Sequence, residues 1–247
     1  MSADLLYYCK ALVVRFSCII THIMLKPPLQ GILFDFDGLI LDTETTIFKA
    51  WQDKFREYGK ELLLEEWAEI LGKSGEREGP VEEFLRTIND EDEQRAIQLE
   101  VSQKELELVL KQKPLPGAEE LIRKAKQNGL SLGVVSSSEQ EWVHGHLKRL
   151  GLWKYFDHTS CAEEVEQAKP DPALYLLGLK KMNGVTEKVI VLEDSPNGVL
   201  AAKQAGLFCI AVPNSLTRQL PFFSNGGTPD RVLDSLLDFP WDEFMKD

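Results

Sequence analysis

Three short apolar runs end in the same way. GILF (31–34) runs into Asp35 and Asp37, LSLGVV (130–135) into Ser136, Ser137 and Ser138, and KVIVL (188–192) into Glu193 and Asp194. Runs of this length, each followed by a segment with helical spacing, read as buried strands alternating with helices. That alternation implies a parallel sheet covered on both faces, so the expected fold is α/β with a Rossmann-like core. A carboxylate at the end of a buried strand costs free energy unless something compensates it. In an open parallel sheet, ligands bind at the carboxyl ends of the strands. These polar ends, far apart in sequence, are therefore expected to converge on one site.

The helical segments divide into two groups. After the first strand, Ile47, Phe48, Trp51, Phe55 and Tyr58 fall on one helical stripe that stops at Gly59. Further helices are expected over 61–71, 80–89 and 91–112, with the acidic NDEDEQ stretch as a solvated turn and helix start. No strand pattern interrupts this block before KPLPG at 113–117 breaks it. Residues 47–113 thus read as an all-helical cap inserted into a core formed by 31–46 and 114–247. In that core, helices are expected over 117–128, 139–150, 172–182 and 196–205. Asp171 should cap the third of these, with Pro172 as its first residue. A strand is expected over 207–212 and one more short element within 230–237.

Charge and cysteine usage narrow the partners. The 247-residue chain carries a formal net charge of −12, which argues against a nucleic-acid backbone. An acidic protein that handles an anionic substrate needs a local cation, either a metal or a placed lysine. Cys9, Cys18, Cys161 and Cys209 form no CxxC pair and no zinc spacing, as expected of free thiols in a reducing, cytoplasmic setting. Cys161 has no matching base to make it a nucleophile. His144 and His146 are two apart on a helix, so they face different ways and read as surface or core residues.

The first thirty residues stand apart as an extension. Their apolar run is interrupted by Lys10, Arg15 and His22, too often for a membrane span, and the start fits a secretory signal poorly. They read as an extension, a weak organelle-targeting segment, or sequence upstream of a start at Met24.

Asp35 and Asp37 are two apart, so in extended backbone both carboxylates face one ligand. Gly38 allows a sharp turn there. One carboxylate can attack phosphorus, and the other can protonate the leaving oxygen and then activate water. A hard divalent ion, best Mg²⁺, would hold carboxylates and phosphoryl oxygens together.

The stretches DFDGLILDTE, VVSSS, KPDP and VLEDSPNGVLAAKQAG resemble, in order, the four motifs of the haloacid dehalogenase superfamily. The resemblance spans residues 31–213 and is nearest to the phosphatase and β-phosphoglucomutase-like branch with a small helical cap. It implies Asp35 as the nucleophile, passing through a phosphoaspartate. It implies Asp37 as general acid/base, also lending a metal its backbone carbonyl. Ser136 then corresponds to the phosphate-binding hydroxyl, and Lys169 to the lysine that steadies the phosphoryl charge. Asp194 corresponds to the remaining metal carboxylate, with Glu193 a ligand through water or an orienter. Ser137, Lys73 and Arg77 are the further candidates for binding substrate.

The chain departs from the branch at three places. Ala173 replaces an acid in KPDPA. Ile47 stands where many relatives have His, and Gly75 where mutases carry Arg. The expected function is a Mg²⁺-dependent phosphatase, acting as a monomer on a small phosphorylated metabolite, with a sugar phosphate foremost. The alternative is an intramolecular phosphosugar mutase. A catalytically dead scaffold is disfavoured because every catalytic position is filled. A dehalogenase is disfavoured because Glu193-Asp194 suits a metal.

Overall fold

The computed structural model describes residues 25–68, 79–220, 222 and 227–245. Residues 1–24 lie outside it, as do Lys73, Gly75 and Arg77. Six parallel strands form one sheet: β1 (Gly31–Phe34), β2 (Ser131–Val135), β3 (His158–Ser160), β4 (Val189–Glu193), β5 (Phe208–Ala211) and β6 (Arg231–Val232), in the spatial order β3-β2-β1-β4-β5-β6. β1 lies in the centre, with Phe34 paired to Val134 on one side and to Leu192 on the other. The chain builds outward from β1 through β2 to β3, then returns to add β4, β5 and β6 on the opposite side. The strand order therefore reverses beside β1, and a crevice opens there at the carboxyl ends of β1 and β4.

The apolar runs account for this placement. All four residues of β1 and all five of β4 are buried, as expected of strands with helices on both faces. One apolar cluster holds Ile32, Phe34, Leu132, Val134, Ile190 and Leu192; a second holds Leu33, Val135, Val189 and Val191. Alternate residues of each strand thus feed opposite faces of the sheet. β3, three residues long, was not expected from the sequence.

Between β1 and β2 come α1 (Glu44–Glu57), α2 (Leu64–Ala68), α3 (Pro80–Arg86) and α4 (Glu91–Lys111), followed by α5 (Ala118–Gln127) on the sheet. The described part of the helix expected over 61–71 is the single turn α2. Phe48, Trp51, Phe55, Trp67, Phe84, Ile97 and Val101 form an apolar cluster separate from those of the sheet. Leu216 and Leu220, from the loop after β5, join it. Tyr58, at the end of the expected stripe, is 39% exposed, and its hydroxyl donates to Glu93 at 2.8 Å. Asp90 caps α4, accepting from the Asp92 and Glu93 backbone N–H groups. The chain enters and leaves this helical block at one crossing: Leu41 bridges Pro114, and the Leu115 N–H donates to Ile40 O at 2.8 Å.

The remaining helices are α6 (Gln140–Arg149), α7 (Ala173–Lys181), α8 (Pro196–Gln204) and the single turn α9 (Trp241–Phe244). α7 starts one residue later than expected. Asp171 Oδ1 still accepts the Ala173 N–H at 2.9 Å, with Pro172 at the cap position. Residues 25–30 dock on the body: Leu29 is buried in the first cluster, and the Gln30 N–H donates to Lys188 O at 2.7 Å.

Candidate active site

The end of β1 carries Asp35, and the end of β4 carries Glu193 and Asp194, so sheet pairing alone places three carboxylates together. Their oxygens lie within 4.8 Å of one another, and all three residues are buried. Among the described residues, no other set of three or more His, Cys, Asp or Glu side chains is gathered in this way. His144 and His146 are not part of such a set. The His144 ring faces the Thr159 hydroxyl, and His146 is a buried ring beside Phe36 and Trp142.

Lys169 reaches the same point from the loop before α7. Its ammonium donates to Asp35 Oδ1, to Glu193 Oε1 at 2.6 Å and to Val135 O at 2.9 Å, which uses all three of its protons. Burial works against that charge, but Asp35 and Glu193 outweigh it and hold the lysine above its ordinary range. Burial pushes the Asp35 carboxyl well up. Lys169 opposes this, while Glu193 and Asp37 add to it. Asp194 is pushed up by burial first and then by the charges of Asp35 and Glu193.

Glu193 is committed to the protein. Oε1 accepts from Lys169 and from the Tyr175 hydroxyl at 2.5 Å, and Oε2 faces the Asp194 and Ser195 backbone N–H groups and the Ser195 hydroxyl. α8 packs onto this carboxylate so closely that a Cβ at Gly198 would overlap it. Gly38 is constrained twice. Its φ is +87°, and a Cβ there would run into the Asp194 carboxylate. Asn214, from the loop after β5, donates to Asp194 Oδ2 at 2.8 Å and to Gly38 O at 3.0 Å.

Asp37 is held differently. Oδ1 accepts from the Thr43 hydroxyl and the Trp142 indole, both at 2.9 Å. Oδ2 accepts from the hydroxyls of Ser136 at 3.0 Å and Ser138 at 2.7 Å. The side chain therefore points to the β2 end of the crevice and is not part of the three-carboxylate group.

Asp35, Asp37, Ser136, Ser137, Lys169 and Asp194 all line one cavity of about 290 Å³. Its upper wall comes from the helical block, with Glu44 and Ile47 of α1, Trp67 of α2 and Glu105 of α4. Burial and the nearby Asp37 push Glu105 up to about 7, and burial and the same charge raise Glu44 well above the ordinary range. The Trp67 indole nitrogen is buried and has no hydrogen-bond partner. Thr43, Glu44, Trp67, Glu105, Trp142, Tyr175 and Asn214 were not among the expected site residues. Thr43 and Glu44 stand within the quoted DFDGLILDTE stretch, which was their only signal.

The donor set suits a hard divalent cation. Asp35 and Asp194 offer carboxylate oxygen, and the one ammonium in the cluster cannot balance the buried acids around it.

A doubly wound sheet with a buried carboxylate cluster at its switch point is the frame of a phosphate- or nucleotide-handling α/β enzyme. Residues 32–212 match the haloacid dehalogenase-like hydrolase family, and the chain belongs to it. It is 40% identical to YhcW of Bacillus subtilis over 197 residues, covering 78% of this chain and 88% of that one. It is 36% identical to the phosphorylated carbohydrates phosphatase of Thermotoga maritima over 182 residues, covering 72% and 82%. Among solved structures, CbbY from Rhodobacter sphaeroides in complex with phosphate superposes with a TM-score of 0.68 at 29% identity, covering 86% of this chain and 96% of that one. No described helix is long and apolar enough to cross a membrane.

Proposed function

We propose that this phosphoric monoester hydrolase removes phosphate from a small phosphorylated sugar, with Mg²⁺, through a phosphoaspartate on Asp35. The observation that carries the reading is Lys169 bridging Asp35 and Glu193 beside Asp194 on the floor of the cavity. The name of the Thermotoga maritima relative supports the substrate class.

Lys169 engages Oδ1 of Asp35, which leaves Oδ2 to attack phosphorus. As the Asp35–phosphorus bond forms, the bond from phosphorus to the sugar oxygen breaks, and that oxygen takes a proton from Asp37. A water then gives its proton to Asp37 and its oxygen to phosphorus. The Asp35–phosphorus bond breaks, and inorganic phosphate leaves. Lys169 stays beside Asp35 throughout and meets the charge that passes from the carboxylate to the phosphoryl group. Ser136 and Ser137 line the cavity and would donate to phosphoryl oxygens, Ser136 by turning its hydroxyl away from Asp37. Glu193 acts by holding Lys169. Asp35 and Asp194, with the Asp37 carbonyl, would hold Mg²⁺, which supplies charge neutralisation on the phosphoryl oxygens. Residues 47–113 serve as the cap that closes over the substrate.

Above the floor, Glu44 and Glu105 offer carboxyl groups that burial raises, so that they can donate as well as accept. That set suits the hydroxyls of a sugar. Replacing Glu44 with Ala removes a hydrogen-bonding carboxyl worth about 0.5–1.5 kcal/mol, so KM for a sugar monophosphate should rise about two- to tenfold with kcat little changed. A kcat loss at unchanged KM would place Glu44 in the chemistry instead.

Ile47 lines the cavity and can neither give nor accept a proton, so a phosphosugar mutase is not favoured. Supplied with Mg²⁺ and a panel of sugar monophosphates, including a β-hexose 1-phosphate with its bisphosphate, the protein should release inorganic phosphate and form little 6-phosphate isomer. Isomer formation outrunning phosphate release would overturn the assignment.

A further inference from the structure

Four donors converge on Asp37, and they are not equivalent. Thr43, Ser136 and Ser138 present hydroxyls, which can rotate to accept a proton as readily as they donate one. The fourth, the Trp142 indole N–H at 2.9 Å from Oδ1, can only donate. A proton on Oδ1 would compete with that N–H and have only the Thr43 hydroxyl to accept it. A proton on Oδ2 would face two hydroxyls free to turn and accept it. The indole is itself held in place. Its ring meets His146 edge to face at 4.3 Å, and His146, 5% exposed, stacks on Phe36, the residue between the two aspartates. A wedge of three rings thus fixes the donor beneath the very loop that carries Asp37.

We propose that Trp142 is the positioning residue of the catalytic acid: its N–H pins Oδ1 as an acceptor, so that Asp37 holds and delivers its proton through Oδ2. The proposal rests on the reading of Asp37 as the acid that protonates the leaving oxygen. It gives an exposed-looking SEQEW stretch after β2 a part in the chemistry, acting through another residue.

The test uses the leaving group. A sugar alkoxide needs a proton to depart, whereas nitrophenolate departs without one. The value of kcat/KM reports the steps through that departure, before the shared hydrolysis of the phosphoenzyme. Trp142→Phe keeps an aromatic ring beside His146 and removes the N–H together with the five-membered half of the indole, a packing loss that would lower both rates alike. In the full-length protein with Mg²⁺, the ratio of kcat/KM for a sugar monophosphate to that for p-nitrophenyl phosphate should fall about three- to tenfold, the scale of one lost hydrogen bond. Because both rates come from one preparation, the ratio does not depend on the fraction folded. An unchanged ratio, whether both rates fall together or neither falls, would overturn the proposal and leave Trp142 a packing residue. Asp37→Asn is the companion variant and should lower the same ratio at least as far. If it does not, the reading of Asp37 as the acid fails instead, so the two failures are separable.

Discussion

Replacing Asp35 with Asn should reduce phosphate release by on the order of a millionfold, the scale seen when the nucleophile of a covalent mechanism is removed. Phosphate monoesters are among the slowest substrates to hydrolyse unaided, with enzymes accelerating them by up to ~10²¹-fold, so no background reaction would mask the loss. The amide has nearly the same shape, cannot form an acyl phosphate and is a poorer metal ligand. It should not harm the fold. Burial pushes the Asp35 carboxyl upward, which means that its ionised form is a burden on the folded state when no cation is bound. Lys169 would lose that buried partner but keep Glu193 and Val135 O, so in metal-free buffer the Asn variant should melt within a few degrees of the wild type. Turnover near the wild-type rate would remove Asp35 from the mechanism. A collapse in melting temperature would make its role structural.

Chelation is expected to have an effect of similar size. EDTA should abolish turnover and Mg²⁺ should restore it, while Ca²⁺, which takes more ligands at longer distances, should not. The same ion should stabilise the protein. Binding at a hundred times its dissociation constant contributes about 2.7 kcal/mol, or roughly 5–10 °C in Tm for a chain of this size. The pH dependence has a definite sign. Asp35 and Asp194 have folded-state values raised above the ordinary carboxylate value near 4. Above about pH 4 the unfolded chain gives up these protons first, so without metal the stability contribution is complete below that pH and is lost as pH rises through the folded values. Mg²⁺ needs the ionised forms, so its Tm shift should grow over the same range. Melting curves with EDTA and with Mg²⁺ at several pH values would check this. Full activity in chelator would refute the metal's part.

Much of the floor of the site was legible because sheet topology is simple. Apolar runs of four to six residues fix β1, β2 and β4, and in a parallel sheet neighbouring strands bring their ends to one edge. Asp35, Ser136, Glu193 and Asp194 had only to follow such runs to be placed together. Lys169 was readable through its KPDP setting. The walls were not legible, for two reasons. Glu44, Trp67, Glu105 and Trp142 reach the cavity from helices, and a helical pattern marks which face is apolar without marking which residue looks into a cleft. Tyr175 reads as one more apolar member of the ALYLLGL helix, and only the packing of α7 on the β2–β3 side of the sheet shows its hydroxyl on Glu193. β3 escaped because three residues, His158–Ser160, carry too little pattern. It is a strand because β2 offers it an edge, which is a tertiary cause. Lys73 and Arg77 fall outside the described residues.

The crossing of Leu41 with Pro114 has a consequence for how such enzymes change. The helical block leaves the core and rejoins it at neighbouring, hydrogen-bonded points. To the sheet, the some seventy residues between are a loop whose ends already touch, and the entropy of closing a loop grows only with the logarithm of its length. Insertions, deletions or wholesale replacement there would leave the strand ends, and the carboxylates on them, where they are. Asp35, Asp37 and Lys169 stay with the sheet and its loops, while Glu44, Ile47, Trp67 and Glu105 are carried on a detachable cassette. A lineage built on this plan can take up a new phosphorylated substrate by rewriting one contiguous stretch of gene, with no need to relearn how to break the phosphorus–oxygen bond.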